Sequence, residues 1–222
     1  MQIETQLRRK QMDRALRWSL FLFAGFLLVT QQVLTFGPLV EYDKKINSDP
    51  KPQFEGFAGF ILRRLDDLGL RGLTATVLIL AALFIAYKFK TWRPLNLAFL
   101  SLIMLNLVVG TSKLILGRTK PRDGFDLLHA GGMSYPSGHA SNAVLSWGIL
   151  AYLIYRYAKV DRYQGRLASA GVVTISLTVC VVSLIRHTHW FTDLLGGLFI
   201  GSALLVTVIA VDRYVPSKSQ LH

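Results

Sequence analysis

An all-α fold with six transmembrane helices is what the sequence predicts, and three observations carry that prediction. The chain of 222 residues has a mean hydropathy of +0.40, and its apolar residues come in long runs. Only 17% of its residues are charged, whereas soluble domains carry about 25%. Its basic residues, which give a formal net charge of +12, cluster between the apolar runs, as they do in the loops of membrane proteins.

Six apolar runs predict membrane-spanning helices, each of which needs about 20 mostly apolar residues. The predicted spans cover residues 18–40, 73–87, 95–116, the segment after YPSGH up to 157, 167–185 and 189–211. The first run is longer than the apolar core of a cleavable signal peptide, so we expect it to remain as an anchor. Residues 1–222 are predicted to form one integral-membrane domain.

The basic residues also predict the orientation of the bundle, because short cytoplasmic loops are rich in Lys and Arg. With six spans, four basic segments fall on one side: the arm at 1–17, two turns and the tail. Their cations are Arg8, Arg9, Lys10, Arg14, Arg17, Lys88, Lys90, Arg93, Arg156, Lys159, Arg162, Arg166, Arg213 and Lys218. We expect both termini in the cytoplasm, and residues 41–72, 113–138 and the RHTH turn outside the plasma (inner) membrane.

The outer segment 41–72 contains a predicted amphipathic helix over residues 54–68. Its apolar stripe consists of Phe54, Phe57, Ala58, Ile61, Leu65 and Leu68. Arg63, Arg64, Asp66 and Asp67 cover much of the remaining surface. The pattern fits a helix in the membrane interface, and it fits equally a helix that packs over the spans.

Three polar segments lie on the predicted outer side, and the first is KLILGRTKPR. It carries Lys113, Arg118, Lys120 and Arg122, four cations that repel one another unless an anion offsets them. They could bind a phosphate group, or they could extend from the membrane toward water. Because outer loops disfavour positive charge, we favour the phosphate site.

The second polar segment, SYPSGHASNA, reads as the start of a helix. Ser137 is suited to the N-cap, and Gly138 allows a ligand to approach the backbone. Because a helix N-terminus binds phosphate readily, His139 in the first turn would stand beside that anion as a proton donor. The other interpretation is a capping turn with an incidental histidine.

The third polar segment is SLIRHTHWFTDLLGG. Residues four apart share a helical face, so Asp193 is placed to bind His189 and not His187. A carboxylate on one ring nitrogen fixes the tautomer and leaves the other nitrogen as a nucleophile or base. We interpret His187 as an interfacial polar residue.

Together the three segments resemble the type 2 phosphatidic acid phosphatase family, which is related in fold to vanadium haloperoxidases. The resemblance covers about residues 95–205, the predicted catalytic core, and rests on Lys113 with KP at 120–121, PSGH at 136–139 and HWFTD at 189–193. It implies a metal-independent lipid phosphatase without a cofactor. The implied substrates are undecaprenyl or other polyprenyl pyrophosphate, phosphatidylglycerophosphate and phosphatidic acid, bound from the lipid bilayer.

The resemblance also implies the roles of individual residues. His189 would attack phosphorus and form a phosphohistidine, Asp193 would orient it, and His139 would protonate the leaving oxygen. Lys113, Lys120, Ser137 and the Gly138 amide would bind the phosphate oxygens.

Two positions depart from the family pattern. Lys120 stands where the family has an arginine and cannot offer its bidentate fork, so Arg118 or Arg122 could supply it. Ser183 stands where the family has a second arginine, and we expect Arg186, three residues later, to take its place.

Other classes of function stay open with less support. A metal-dependent membrane hydrolase would use His129, His139, His187, His189 and Asp193, but the glutamate or paired carboxylates expected of a zinc hydrolase are missing from these segments. The second alternative is a transport or lipid-binding protein that has the same fold but no catalytic activity. Nucleic-acid binding is not indicated, because no patterned basic helix or aromatic platform occurs.

Overall fold

The computed structural model describes residues 2–48, 52, 54–158 and 160–215, and in these ranges it is helical without β-strands. Its helices are α1 Gln2–Leu34, α2 Pro38–Ser48, α3 Gly56–Asp66, α4 Arg71–Phe89, α5 Arg93–Leu116, α6 Gly138–Tyr157, α7 Arg162–Ile185 and α8 Phe191–Tyr214. Two 3₁₀ turns cover Asp67–Gly69 and Pro121–Asp123. Lys159 and Lys218, two of the cations used to predict the topology, lie outside the described residues.

Five described helices are long and apolar enough to cross a membrane: α1, α4, α5, α7 and α8. Helix α6, which corresponds to the fourth predicted span, is not among them. It has 20 residues, and Ser141, Asn142 and Ser146 make its first half polar. The all-α class is confirmed, whereas the count of six spans stays a prediction.

Helix α6 lies at the centre of the bundle, because it packs against α4, α5, α7 and α8. Two glycines of α8 allow a close approach between α6 and α8. A Cβ atom on Gly197 would lie 2.6 Å from the carbonyl oxygen of Ser137, and one on Gly201 would lie 2.9 Å from that of Ser141. The first turns of α6 and α8 therefore meet at one end of the bundle.

The N-terminal region differs from the prediction in its helix ends. Helix α1 ends at Leu34, so Val40, the predicted end of the first span, belongs to α2. Phe36 has a φ of +51°, and Pro38, which favours a first helical position, begins the new helix. Residues 2–17 of the predicted arm are part of one helix of 33 residues, and the described part of segment 41–72 is mostly helical.

Helix α3 divides the predicted apolar stripe between two environments. Leu65 is half-buried, as is Leu68 in the following turn, and α3 contacts α7 on this side. Phe57 is 79% exposed, and Phe54 and Ile61 are exposed too. Part of the stripe thus packs over the bundle, and the rest is free to enter a membrane interface.

An ionic group around the buried Asp212, the Asp212 cluster, joins the start of α5 to the ends of α6 and α8. Arg93 Nε donates to Asp212 Oδ1 at 2.6 Å, and Tyr152 donates its hydroxyl proton to Asp212 Oδ2 at 2.6 Å. Arg156 Nη1 also contacts Asp212 Oδ2. This cluster consists of Asp212, Arg93, Arg156 and Tyr152.

Candidate active site

His189 and Asp193 are in contact at the start of α8. His189 Nδ1 lies 3.3 Å from Asp193 Oδ2, and both side chains are buried. The sequence analysis placed both residues on one helix, but α8 begins at Phe191, after His189. Asp193 Oδ2 instead accepts the Trp190 N–H at 3.0 Å, as an acidic side chain does when it caps a helix. The cap brings the carboxylate back to His189.

The second oxygen of Asp193 is bound by Arg118, which is fully buried. Arg118 Nη1 donates to Asp193 Oδ1 at 2.8 Å and to Thr192 Oγ1 at 2.7 Å. Its Nε and Nη2 donate to the two carboxylate oxygens of Asp126, each at 2.7 Å, and Nη2 donates to Asp43 Oδ2 at 2.8 Å. These five residues form what we call the Arg118 cluster.

The prediction that Arg118 binds phosphate is therefore wrong. A guanidinium group has five N–H donors, and all five are directed at oxygen atoms of the protein. A carboxylate ion would be costly to bury without such a partner, and Arg118 provides it for Asp193. Arg118 thus positions Asp193 and has no donor left for a ligand.

Asp43 links α2 to the start of α8. Its Oδ1 accepts the Thr192 N–H at 2.8 Å, and its Oδ2 accepts the Thr192 hydroxyl at 2.5 Å. Burial raises the pKa of the Asp43 carboxyl, while the Arg118 charge and the Thr192 hydrogen bonds oppose that shift. The region upstream of the matching motifs thus supplies part of the site's support.

His139 faces His189 from the first turn of α6. The centroids of the two imidazole rings lie 6.2 Å apart, with 57° between the ring planes. Ser137 is the N-cap of α6, and its Oγ accepts the Ala140 N–H at 3.3 Å. The Ser137 N–H donates to the Asp193 carbonyl at 2.9 Å, so the starts of α6 and α8, with their positive dipole ends, lie together.

Open space borders Gly138 at the start of α6. A Cβ atom there would meet only Lys113 Cε, at 3.9 Å. Packing within the protein therefore does not require a glycine at this position, and a ligand could approach the backbone closely. Lys113 Nζ donates to the Met133 carbonyl oxygen, so this cation reaches across from α5 to the same region.

The PAP2 superfamily model matches residues 94–216. The chain belongs to the PAP2 superfamily. The family predicted from the three motifs is confirmed, and the matched range agrees with the predicted core of about residues 95–205.

Two comparisons extend the similarity of this PAP2 protein over most of the chain. It is 25% identical over 206 residues to phosphatidylglycerophosphatase B of Bacillus subtilis (strain 168). The matched region covers 89% of this chain and 95% of that protein. The crystal structure of a transmembrane PAP2-type phosphatidylglycerolphosphate phosphatase from Bacillus subtilis gives a TM-score of 0.79 at 21% identity. That match covers 90% of this chain and 98% of the other. The chain is thus a PAP2 protein whose described residues include five helices that could cross a membrane.

Three further predicted phosphate ligands of this PAP2 protein differ in their exposure and in their contacts. Lys120 is half-buried and precedes the 3₁₀ turn Pro121–Asp123, whereas Arg122 in that turn is exposed. Trp190 Nε1 donates to the Thr119 carbonyl at 2.9 Å, which holds this segment beside the start of α8. Arg186 Nη1 donates to Asp66 of α3. The phosphate-binding roles of these side chains stay predictions.

The Ser183 position also binds Asp66. Ser183 Oγ donates to Asp66 Oδ1 at 3.0 Å, and Asp66 is buried. Helix α3 therefore contacts both the position where the family has an arginine and the arginine expected to replace it. His187, interpreted as an interfacial residue, is half-buried, and its Nδ1 lies 2.6 Å from Asn47 Oδ1.

The metal-dependent alternative required several histidines and an aspartate to converge. Within the described ranges, no group of three or more His, Cys, Asp or Glu residues has a geometry that could hold a metal ion. His129 is exposed in the segment between α5 and α6. Independence from metal ions stays a prediction.

Sequence reasoning missed several residues that support the site. Ser134 donates its hydroxyl proton to Asp193 Oδ2, and no local pattern marks it. Asp43 and Asp126 bind Arg118, and one signal could have indicated them: an arginine beside apolar sequence needs carboxylates if it is buried. Asp66 likewise belongs to the site region, although it was assigned to the polar face of the amphipathic helix.

Proposed function

We propose that this protein hydrolyses a phosphomonoester or pyrophosphate of a membrane lipid through a phosphohistidine on His189. The observation that carries the proposal is a pair of facing imidazole rings, His139 in the first turn of α6 and His189 just before α8, whose centroids lie 6.2 Å apart. Asp193 contacts His189. A buried Asp–His pair with a second imidazole opposite supplies a nucleophile and a proton donor.

In the first step, His189 attacks the phosphorus atom. Asp193 accepts a hydrogen bond from the Nδ1–H of His189, which keeps the proton on Nδ1 and leaves the attacking lone pair on Nε2. The bond between phosphorus and the leaving oxygen breaks, and His139 donates its proton to that oxygen. The three carboxylates of the Arg118 cluster outnumber its single guanidinium, which stabilises the positive charge that the phosphorylated imidazole acquires.

In the second step, water attacks the phosphohistidine. His139, now neutral, accepts a proton from that water. The bond between phosphorus and Nε2 breaks, inorganic phosphate leaves, and both histidines return to their initial states.

The phosphate oxygens are proposed to bind cations and the first turn of α6. Lys113 and the Gly138 amide border the same open space, with the Ser137 hydroxyl at the N-cap. The dipole of α6 adds partial positive charge there. Lys120, Arg122 and Arg186 are proposed as the more peripheral cations, and Arg186 Nε and Nη2 are not used in its bond to Asp66.

Phosphatidylglycerophosphate is the first substrate to test, because the Bacillus subtilis relative is named for its action on that lipid. Undecaprenyl pyrophosphate and phosphatidic acid are the other substrates to compare. In the proposed topology, six spans place both termini in the cytoplasm and the histidines at the outer face of the plasma membrane, where lipid head groups meet the site.

Phosphate release by the purified protein tests the proposal. The three lipids are presented in detergent micelles that contain EDTA. His189→Asn should lower the rate about a thousandfold or more, because the nucleophile is lost. His129→Asn is the matched control, since His129 is exposed with a φ of +54°, a backbone conformation that Asn tolerates.

Three outcomes would contradict parts of the proposal. Equal rates for His189→Asn and the wild type would exclude His189 as the nucleophile. Loss of wild-type activity in EDTA, restored by added metal, would favour the metal-dependent alternative. Lipid binding without phosphate release from any of the three substrates would favour the non-catalytic alternative.

A further inference from the structure

A cleft of about 190 Å³ lies between α3 and the end of α7. Arg63 of α3 and Arg186, which directly follows α7, both line it. The other lining residues are Pro52, Phe54, Gly59, Leu62, Ile185 and His187. None of the sequence motifs includes Arg63. A cleft with two guanidinium groups and an apolar border suits an anionic lipid head group.

The two arginines are held differently. Arg186 is fixed by Asp66, which is buried where α3 meets α7. Arg63 is exposed, and a Cβ atom on the buried Gly59 would lie 3.6 Å from Arg63 Nη1. The guanidinium of Arg63 therefore lies over Gly59, which is itself part of the cleft wall.

Short segments of chain connect the cleft to the two histidines of the site. Arg186 precedes His189 by three residues, on the segment that leaves α7. On the other side, the 3₁₀ turn that follows α3 packs on His139: a Cβ atom on Gly69 would lie 2.7 Å from the His139 carbonyl oxygen. The two elements that line the cleft therefore continue directly into the turn that contacts His139 and into the segment that carries His189.

We propose that this cleft binds a second phosphate, carried by the leaving group of the substrate. The inference rests on the proposed phosphatase function and narrows its substrate class. Phosphatidylglycerophosphate and polyprenyl pyrophosphates both leave a phosphate-bearing product, whereas phosphatidic acid leaves an uncharged diacylglycerol. Arg63, which the structure leaves without a carboxylate partner among the described residues, provides selectivity for the first two.

Selectivity between matched substrates tests the inference. Phosphatidylglycerophosphate and phosphatidic acid with identical acyl chains are compared in uncharged detergent micelles. Arg63→Gln should lower kcat/KM for phosphatidylglycerophosphate about tenfold through KM, because a charge-assisted contact is lost. For phosphatidic acid the decrease should stay below about twofold.

Arg64→Gln is the matched control on the neighbouring position. Arg64 Nη1 is bonded to Asp67 at 3.0 Å, its side chain is 61% exposed, and it does not line the cleft. This variant should leave the ratio of the two kcat/KM values unchanged. Arg63→Lys, which retains the charge without the fork, should fall between Arg63→Gln and the wild type.

A third substrate, undecaprenyl pyrophosphate, distinguishes the two sources of the second phosphate. If Arg63→Gln lowers kcat/KM for this substrate as well, the cleft accepts a second phosphate that belongs either to a diester or to an anhydride. If kcat/KM falls for phosphatidylglycerophosphate alone, the cleft accepts only the diester phosphate. If Arg63→Gln lowered kcat/KM equally for phosphatidic acid and phosphatidylglycerophosphate, or changed neither value, the inference would be overturned. Activity of the wild type in the same assay would still support the proposed phosphatase function. Absence of wild-type activity on all three lipids would refute the proposed function itself.

Discussion

The two ends of α8 carry ionic clusters of opposite composition, each built around a buried aspartate. In the Arg118 cluster one guanidinium binds three carboxylates, whereas in the Asp212 cluster one carboxylate binds two guanidinium groups. The aspartates Asp193 and Asp212 are 19 residues apart, which is about 28 Å along a helix. Both clusters join helices that are distant in sequence, so each contributes to the stability of the bundle.

The difference between the clusters lies in which charge is in surplus. Excess carboxylate beside His189 stabilises a cationic imidazole, which the proposed reaction requires. Excess guanidinium at the other end suits the anionic head groups of the cytoplasmic leaflet in the proposed topology. A cluster of ion pairs therefore does not by itself mark an active site. The Arg118 cluster differs from the Asp212 cluster in its surplus of carboxylates and in its contact with a histidine.

The largest effect should follow from Asp193→Asn. The amide oxygen can still accept the Trp190 N–H, so α8 should remain capped. The side chain can no longer fix the tautomer of His189 or balance its positive charge, and kcat should fall about a thousandfold. Steady-state phosphate release measures this, and a kcat within tenfold of the wild type would separate Asp193 from the chemistry.

Arg118→Met should be the most destabilising change in either cluster. Removal of the guanidinium leaves buried carboxylates without their partner, at a cost of about 3–5 kcal/mol in the free energy of unfolding. Thermal unfolding in detergent micelles measures the loss. An unchanged transition would show that Arg118 does not stabilise these carboxylates.

The same variant should acquire a pH dependence. Without the Arg118 charge, burial raises the pKa of the Asp43 carboxyl further, and the folded state then binds protons that the unfolded state releases. Its stability should therefore fall as the pH rises from 5 to 8. A flat profile over that range, relative to the wild type, would contradict this assignment.

Asp212→Asn should separate stability from catalysis. We expect a loss of about 1–3 kcal/mol in the free energy of unfolding, because Arg93 and Arg156 lose their shared carboxylate. We expect kcat to stay within about twofold of the wild type, since this cluster is at the far end of α8. A loss of kcat comparable to that of Asp193→Asn, with stability retained, would break the contrast between the clusters.

The smallest effect should come from the exposed face of α3. Phe57→Ser should raise the KM for a long-chain lipid about threefold and leave a short soluble phosphate ester unaffected, because only the lipid enters through the interface. Phe125→Ser, at another exposed position between α5 and α6 (73% exposed), is the control. Equal changes for the two substrates would show that α3 does not guide lipid entry.

Some features of the site were predictable because they depend on local sequence. The spacing of His189 and Asp193 predicted their contact, although the contact arises from a helix cap before α8 rather than from one helical face. Ser137 at the N-cap of α6 followed from the PSGH sequence in the same way. Short-range geometry of this kind is largely determined by neighbouring residues.

Other features depend on long-range packing and were not predictable. Asp43 and Arg118 are 75 residues apart, and no local pattern indicates that they meet. The same limit explains why Arg118 was assigned to phosphate: a cationic segment shows its charge but not its partners. The Gly37–Pro38 pair that ends the first helix early is a recognisable break, which the apolar composition of the run obscured.

The most direct test of the central claim is to trap the phosphoenzyme in His139→Ala. An aryl phosphate with a good leaving group needs little protonation, so His189 should still be phosphorylated, while hydrolysis slows without the base. We predict one phosphoryl group that is labile in acid and stable in base, mapped to His189 and absent when His189→Asn is added. Phosphate release without such an intermediate, or label on another residue, would contradict the account.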